Sequence, residues 1–241
     1  VPRVRRAVKS SPKKLATGTI LLIIGAIILA TAAVALAIGL PRLRQTPAAI
    51  TSVPNDLTAC GSIPCPSKGA DNAPVTIIEI SDYRCSHCRE YTINTEPKIE
   101  EQYIMTGKVR YIVHSFNLWP ETQRIAAAAL CANDQGKFFE YHMLLFQNQG
   151  HFDSTSLTRY AQQVGMDVQA FATCVNSDRH TADVIASSSA ARVAGVNSTP
   201  SFFINGKLIV GTLPFQCKPG TPECAAGSFQ ALIETALRGS Q

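Results

Sequence analysis

The first 45 residues contain no acidic side chain, and the 26 residues from Leu15 to Leu40 carry no charge of either sign. An uncharged stretch of that length excludes an ordinary surface helix and is long enough to cross a hydrocarbon core of about 30 Å. Arg3, Arg5, Arg6, Lys9, Lys13 and Lys14 precede it. The positive-inside rule then keeps a basic tail, residues 1–14, in the cytoplasm and places everything after Leu40 outside the cell membrane. Ala33-Val34-Ala35 and Ala35-Leu36-Ala37 resemble cleavage sites. A signal peptide's apolar region runs only about 7–15 residues, so the length favours an uncleaved single-pass anchor over 15–40. Beyond the anchor the chain lacks a basic excess. Residues 46–241 hold 14 Lys and Arg against 17 Asp and Glu, which leaves no footprint for nucleic acid. His114, His142, His151 and His180 lack ligand spacing and read as packing or surface. A c-type haem is excluded, because Arg89 and not histidine follows the second cysteine of the single C-x-x-C.

That C-x-x-C, Cys85-Ser86-His87-Cys88, carries the chemistry. It follows the apolar run Val75-Thr76-Ile77-Ile78-Glu79-Ile80 and opens a helical pattern, so two thiols fall on the first turn of a helix. The unpaired N–H groups there stabilise an anion, and a thiolate is the form that attacks disulfides. Cys85 is expected to have a depressed pKa, with His87 adding an imidazole donor or a positive charge, and Cys88 to be the buried resolving thiol. Stabilising the reduced form makes the disulfide form the stronger oxidant. A zinc site sharing Cys60 and Cys65 is the competing reading, and the strand-then-helix context favours redox chemistry.

Eight cysteines beyond or near one membrane anchor fit a disulfide-permissive compartment. Six remain outside the redox pair and allow 15 pairings. The expected set is Cys131 with Cys174, joining two helical segments, and two local loops, Cys60 with Cys65 and Cys217 with Cys224. Residues 41–69 read as a linker and a cysteine-containing N-terminal segment, followed by one domain over 70–241. Val75–Ser81 and 109–114 read as strands, and Ser86 to about Met105 as a helix kinked at Pro97. Helical patterns alone fill about 120–195, a helical insertion. Apolar runs around Asn205-Gly206 then form a hairpin, and 229–237 a last helix. The fold class is α/β.

The motifs Asp71-Asn72-Ala73-Pro74-Val75-Thr76, Ser81-Asp82-Tyr83-Arg84, Gln135-Gly136-Lys137-Phe138-Phe139-Glu140-Tyr141-His142 and Gly195-Val196-Asn197-Ser198-Thr199-Pro200 occur in this order around the C-x-x-C. With them the chain resembles the DsbA-like thioredoxin-fold proteins over about residues 70–239. The resemblance implies a thioredoxin fold with a helical insertion and a cis Thr199–Pro200 bond facing the C-x-x-C. It also implies a buried acid, Glu79, that helps proton transfer for the inner cysteine. The implied activity is that of a thiol:disulfide oxidoreductase, needing no cofactor beyond its own redox-active disulfide. It would donate the Cys85–Cys88 disulfide to reduced exported proteins, and a membrane partner of the DsbB or VKOR type would reoxidise it. The chain is expected to be a monomer. Ser-His stands between the cysteines where Pro-His is typical of the family's strongest oxidants, so the direction of transfer is left to measurement. A reductase or isomerase kept reduced by a membrane protein is one alternative. A metal-binding or chaperone module holding an ion on Cys85 and Cys88 is the other.

Overall fold

The computed structural model describes residues 55–225 and 227–239. The expected basic tail and membrane span, residues 1–14 and 15–40, lie outside the described residues. Among the described residues no helix is long and apolar enough to cross a membrane.

Three short strands, β1 (Ala59–Cys60), β2 (Ile63–Pro64) and β3 (Ser67–Lys68), precede β4 (Val75–Ser81). Helix α1 (Ser86–Asn94) follows, then α2 (Glu96–Ile99) running into a π turn at Glu100–Ile104, and β5 (Val109–Ser115). Five helices form the insertion: α3 (Thr122–Asn133), α4 (Phe138–Gln147), α5 (Ser154–Gln163), α6 (Val168–Asn176) and α7 (Thr181–Val193). The hairpin β6 (Ser201–Ile204) and β7 (Lys207–Val210) and the helix α8 (Phe229–Gly239) complete the domain. The main sheet has the order β3-β5-β4-β6-β7. β4 lies at its centre, parallel to β5 and antiparallel to β6.

A central strand is covered on both faces, which is why Val75-Thr76-Ile77-Ile78 reads as continuous and not alternating. Val75 and Ile77 share a core with Tyr91, Tyr111, Phe202 and Phe229. Ile78 and Ile80 face the other way, against Leu57, Phe116, Ala191 and Phe203. The segment read as linker takes part in this packing. Leu57, Cys60 and Cys65 are buried in the second core, and β3 pairs with β5. A cysteine clip with local pairing was expected there, but a strand of two residues is too short to leave a period in sequence.

The helix expected from Ser86 to Met105 is divided. Its break falls at Thr95 (φ −113°, ψ −48°), and Pro97 occupies the first turn of α2. Proline has no N–H to donate and its ring crowds the carbonyl four residues back, so the hydrogen-bond ladder restarts there in place of bending. At the hairpin, Asn205 (φ 44°) and Gly206 (φ 82°) both take left-handed backbone, as a two-residue turn of this kind requires. Asn205 also fastens the hairpin to β4. Its Oδ1 accepts the Thr76 N–H at 2.8 Å, and its own N–H donates to Thr76 O at 3.0 Å.

Three disulfides are present, Cys60–Cys65, Cys131–Cys174 and Cys217–Cys224. Cys131–Cys174 joins α3 to α6 across 43 residues.

Candidate active site

The remaining cysteines, Cys85 and Cys88, are free thiols, so the pair is in its dithiol state. Asp82 sets up the turn that presents them. Cys85 N–H donates to Asp82 O at 3.0 Å, while the Asp82 carboxylate accepts Arg84 N–H at 2.8 Å, Leu118 N–H at 2.9 Å and the Thr122 hydroxyl at 2.9 Å. One carboxylate therefore ties the active-site turn to the start of the helical insertion. Gln149, just after α4, holds the other side, donating from Nε2 to Tyr83 O at 2.8 Å and Cys85 O at 3.0 Å. Arg89 Nε donates to Phe146 O at 3.0 Å.

Cys85 is the N-cap of α1, in extended backbone (φ −74°, ψ 117°), and its Sγ accepts the Cys88 N–H at 3.3 Å. A sulfur stands where helices usually place a serine, threonine or aspartate oxygen. The thiol is 7% exposed, Cys88 is fully buried and His87 is exposed. Across from Cys85 lies the Thr199–Pro200 bond, which is cis, with Thr199 O 3.3 Å from Sγ. The Thr199 hydroxyl is buried in the same loop, a donor placed to serve the sulfur once it ionises.

These contacts split the two thiols electrostatically. Hydrogen bonding from the Cys88 side chain is the largest influence bringing Cys85 down to about 6; burial opposes it, and the Thr199 side chain and the backbone N–H groups of Cys88 and His87 assist. Burial pushes Cys88 well above the ordinary thiol value, and the neighbouring Cys85 pushes it further. At neutral pH the outer sulfur is the thiolate and the inner one the thiol. What reaches the outer sulfur from His87 is its backbone N–H.

Two results are expected. Alkylation of the reduced protein by iodoacetamide should rise with pH through a midpoint near 6 at Cys85 and leave Cys88 unmodified, as mass mapping after a pH series will show. The same shift has a sign in stability. A folded thiol with a depressed pKa binds fewer protons than the unfolded one, so the dithiol form is stabilised above the ordinary value of 9.0 and loses that contribution as pH falls through about 6. Urea unfolding of the reduced and oxidised forms at pH 5 and pH 8 measures it.

Glu79 is fully buried on the α1 side of the sheet. Its Oε2 accepts the Tyr111 hydroxyl at 2.7 Å, and that hydroxyl lies 3.1 Å from the Tyr91 hydroxyl. Burial, with the nearby Glu96 carboxylate adding to it, pushes Glu79 up to about 8. Glu96 is buried too and pairs with Lys68, whose Nζ is 2.9 Å from Glu96 Oε1 and 2.6 Å from Glu100 Oε2. His142 faces the same region, its Nδ1 2.8 Å from the Tyr83 hydroxyl, and burial brings it down to about 3, so the ring is neutral.

Sequence reasoning missed Asp82, Gln149 and the Lys68–Glu96 pair as supports of the site. An aspartate three residues before a helix N-cap is a recognisable turn signal. Gln149 and Lys68 have none, because their partners are distant in the chain. A cleft of about 410 Å³ opens beside Arg84, lined by Glu121, Arg124, Ile125, Gly150 and Phe152.

The family model described as thioredoxin matches residues 64–216. Crystal structures of similar fold include BdbD from Bacillus subtilis, with a TM-score of 0.64, 20% identity and coverage of 79% of this chain and 99% of that one. Another is α-DsbA1 from Wolbachia pipientis, with a TM-score of 0.60, 25% identity and coverage of 72% and 91%. Among curated relatives, a Rickettsia prowazekii protein named as a protein-disulfide oxidoreductase is 29% identical over 57% of this chain and 53% of its own length. The Na(+)/H(+) antiporter NhaA 3 of Salinispora tropica is 32% identical over 58% of this chain and 21% of its own. The chain thus spans about a fifth of that antiporter and about half of the oxidoreductase. With a model match over most of the described residues and the cis-proline loop set against the C-x-x-C, the chain belongs to the thioredoxin family and has its DsbA-like fold with a helical insertion.

Proposed function

We propose that the protein is an extracytoplasmic thiol:disulfide oxidoreductase that donates the Cys85–Cys88 disulfide to reduced exported proteins. The observation that carries this reading is Cys85 as helix N-cap, lowered to about 6 and set against the cis-proline loop while Cys88 stays a buried thiol. A substrate thiolate attacks Cys85 Sγ, the S–S bond breaks, and Cys88 leaves and takes up a proton. A second substrate thiolate then attacks the substrate sulfur of the mixed disulfide and expels Cys85 as a thiolate. The substrate dithiol loses two electrons and the enzyme disulfide gains them, becoming the dithiol. A low pKa makes Cys85 a good leaving group in the second step and stabilises the reduced product.

In this proposal Pro200 offers no N–H to the sulfurs, and the backbone at Thr199 is the edge on which an extended substrate segment pairs. His87, exposed on the first turn, contributes its backbone N–H to the outer sulfur. Glu79 is the buried acid on the side of the inner thiol. Anchoring in the cell membrane by residues 15–40 and reoxidation by a DsbB- or VKOR-type membrane protein belong to the same proposal. The basic tail, the uncharged stretch and the three structural disulfides support that location. The redox centre is the disulfide itself and calls for no further cofactor.

The equilibrium potential of the pair in a glutathione buffer, with Cys88→Ala as control, tests the direction. A value toward about −120 mV supports donation, whereas one near about −270 mV makes donation uphill and turns the reading to a reductase.

A further inference from the structure

Behind the redox pair, three buried side chains that each keep an unpartnered polar atom lie close together. Glu79 Oε1, Glu96 Oε2 and His142 Nε2 have no hydrogen-bond partner. The three residues are 0%, 3% and 1% exposed, and they offer one ligand atom each within 4.8 Å of the others. The opposite atom of every one is held: Glu79 Oε2 by the Tyr111 hydroxyl, Glu96 Oε1 by Lys68 Nζ, and His142 Nδ1 by the Tyr83 hydroxyl. Ligands whose far atoms are fixed by outer partners while their near atoms converge are the hallmark of a metal centre. Buried polar atoms left unmet are costly, so three of them in one neighbourhood favour a shared partner.

We propose that Glu79, Glu96 and His142 form a binding site for one divalent cation of borderline softness, with Zn²⁺ as the representative. Two carboxylate oxygens and one imidazole nitrogen are a donor set for such an ion, and water completes its coordination. Charge points the same way. Glu79, Glu96 and Glu100 face Lys68 as their one cationic neighbour in the ion-pair cluster. The two other convergences of this kind, Cys60, Cys65 with His114 and Cys131, Cys174 with His180, have their sulfurs closed in disulfides. Cys85 and Cys88 join no such group among the described residues. The site is thus distinct from an ion held on the C-x-x-C; it shares Glu79 with the proposed redox centre, and metal titration of a chain without Cys85 and Cys88 reads it apart from redox activity.

The test uses the full chain carrying Cys85→Ser and Cys88→Ser, so that no free thiol competes. The metal-free protein is titrated with Co²⁺ and then Zn²⁺. The expected result is one Co²⁺ per chain with visible d–d absorption that Zn²⁺ displaces. Zn²⁺ at about a hundred times its dissociation constant should raise the thermal midpoint by roughly 5–10 °C. Glu96→Gln and His142→Gln, each checked for folding by circular dichroism, should weaken binding at least about a hundredfold. No cobalt spectrum together with no thermal shift overturns the proposal, as does binding that both variants leave unchanged. Should either variant fail to fold, Tyr83→Phe removes only the outer hydroxyl on His142. An affinity about tenfold lower then supports the site, and an unchanged one overturns it.

Discussion

Cys85→Ser should reduce disulfide transfer to a dithiol peptide by a factor on the order of 10³ or more while leaving the fold intact. A serine oxygen can accept the Cys88 N–H that the sulfur now accepts, and serine is among the better N-cap residues. The fold should therefore persist as activity disappears, with a thermal midpoint equal to that of the reduced parent at pH 5 and below it at pH 8, where serine forgoes the thiolate's contribution. An enzyme that kept more than a tenth of its rate would show that Cys85 is not the attacked sulfur. The inner position behaves differently. Hydrogen bonding from Cys88 is the largest influence lowering Cys85, so Cys88→Ala should move the alkylation midpoint of Cys85 upward. Cys88→Ser retains a hydroxyl donor and should move it less. Both variants keep an unresolved nucleophile and should accumulate mixed disulfides with oxidised substrates, visible on non-reducing gels.

Removal of the Cys131–Cys174 bridge as a double alanine variant carries the largest expected change in stability. Releasing a 43-residue loop gives back about 4 kcal/mol of chain entropy to the unfolded state, which for a domain of this size lowers the midpoint by roughly 8–16 °C. The bridges over 5 and 7 residues come to only about 2 kcal/mol each on the same basis. Thermal denaturation of the three double variants ranks them. Equal shifts would mean that the bridges act through native packing and not through loop closure. Transfer activity of the Cys131→Ala/Cys174→Ala variant at low temperature should persist, since Cys85 and Cys88 sit on the β4–α1 junction outside that loop.

Much of this architecture was legible because it is written in local chemistry. β4, the β6–β7 hairpin and the insertion helices follow from apolar period and turn residues. The C-x-x-C announces itself by spacing, and Thr199–Pro200 was placed opposite it through the family motifs alone. What escaped depends on partners far apart in the chain. Lys68 meets Glu96 across 28 residues and Tyr83 meets His142 across 59, separations over which no pattern repeats. His142 illustrates the difficulty: without ligand spacing it read as packing, and only the folded chain brings it beside two buried carboxyls. The division of the first long helix at Thr95 was half visible, since Pro97 marked a disturbance whose exact form depended on whether the ladder bent or restarted.

The pairing of the cysteines has a consequence for how the molecule comes to exist. In order along the chain they are Cys60, Cys65, Cys85, Cys88, Cys131, Cys174, Cys217 and Cys224, and every bridge joins consecutive members of that series. A polypeptide oxidised as it emerges, amino end first, meets the correct partner for each thiol before any later competitor has appeared. Such a nested-free order lets the protein acquire its own bridges in a single pass, without the reshuffling that crossed connectivities demand of a newly made chain.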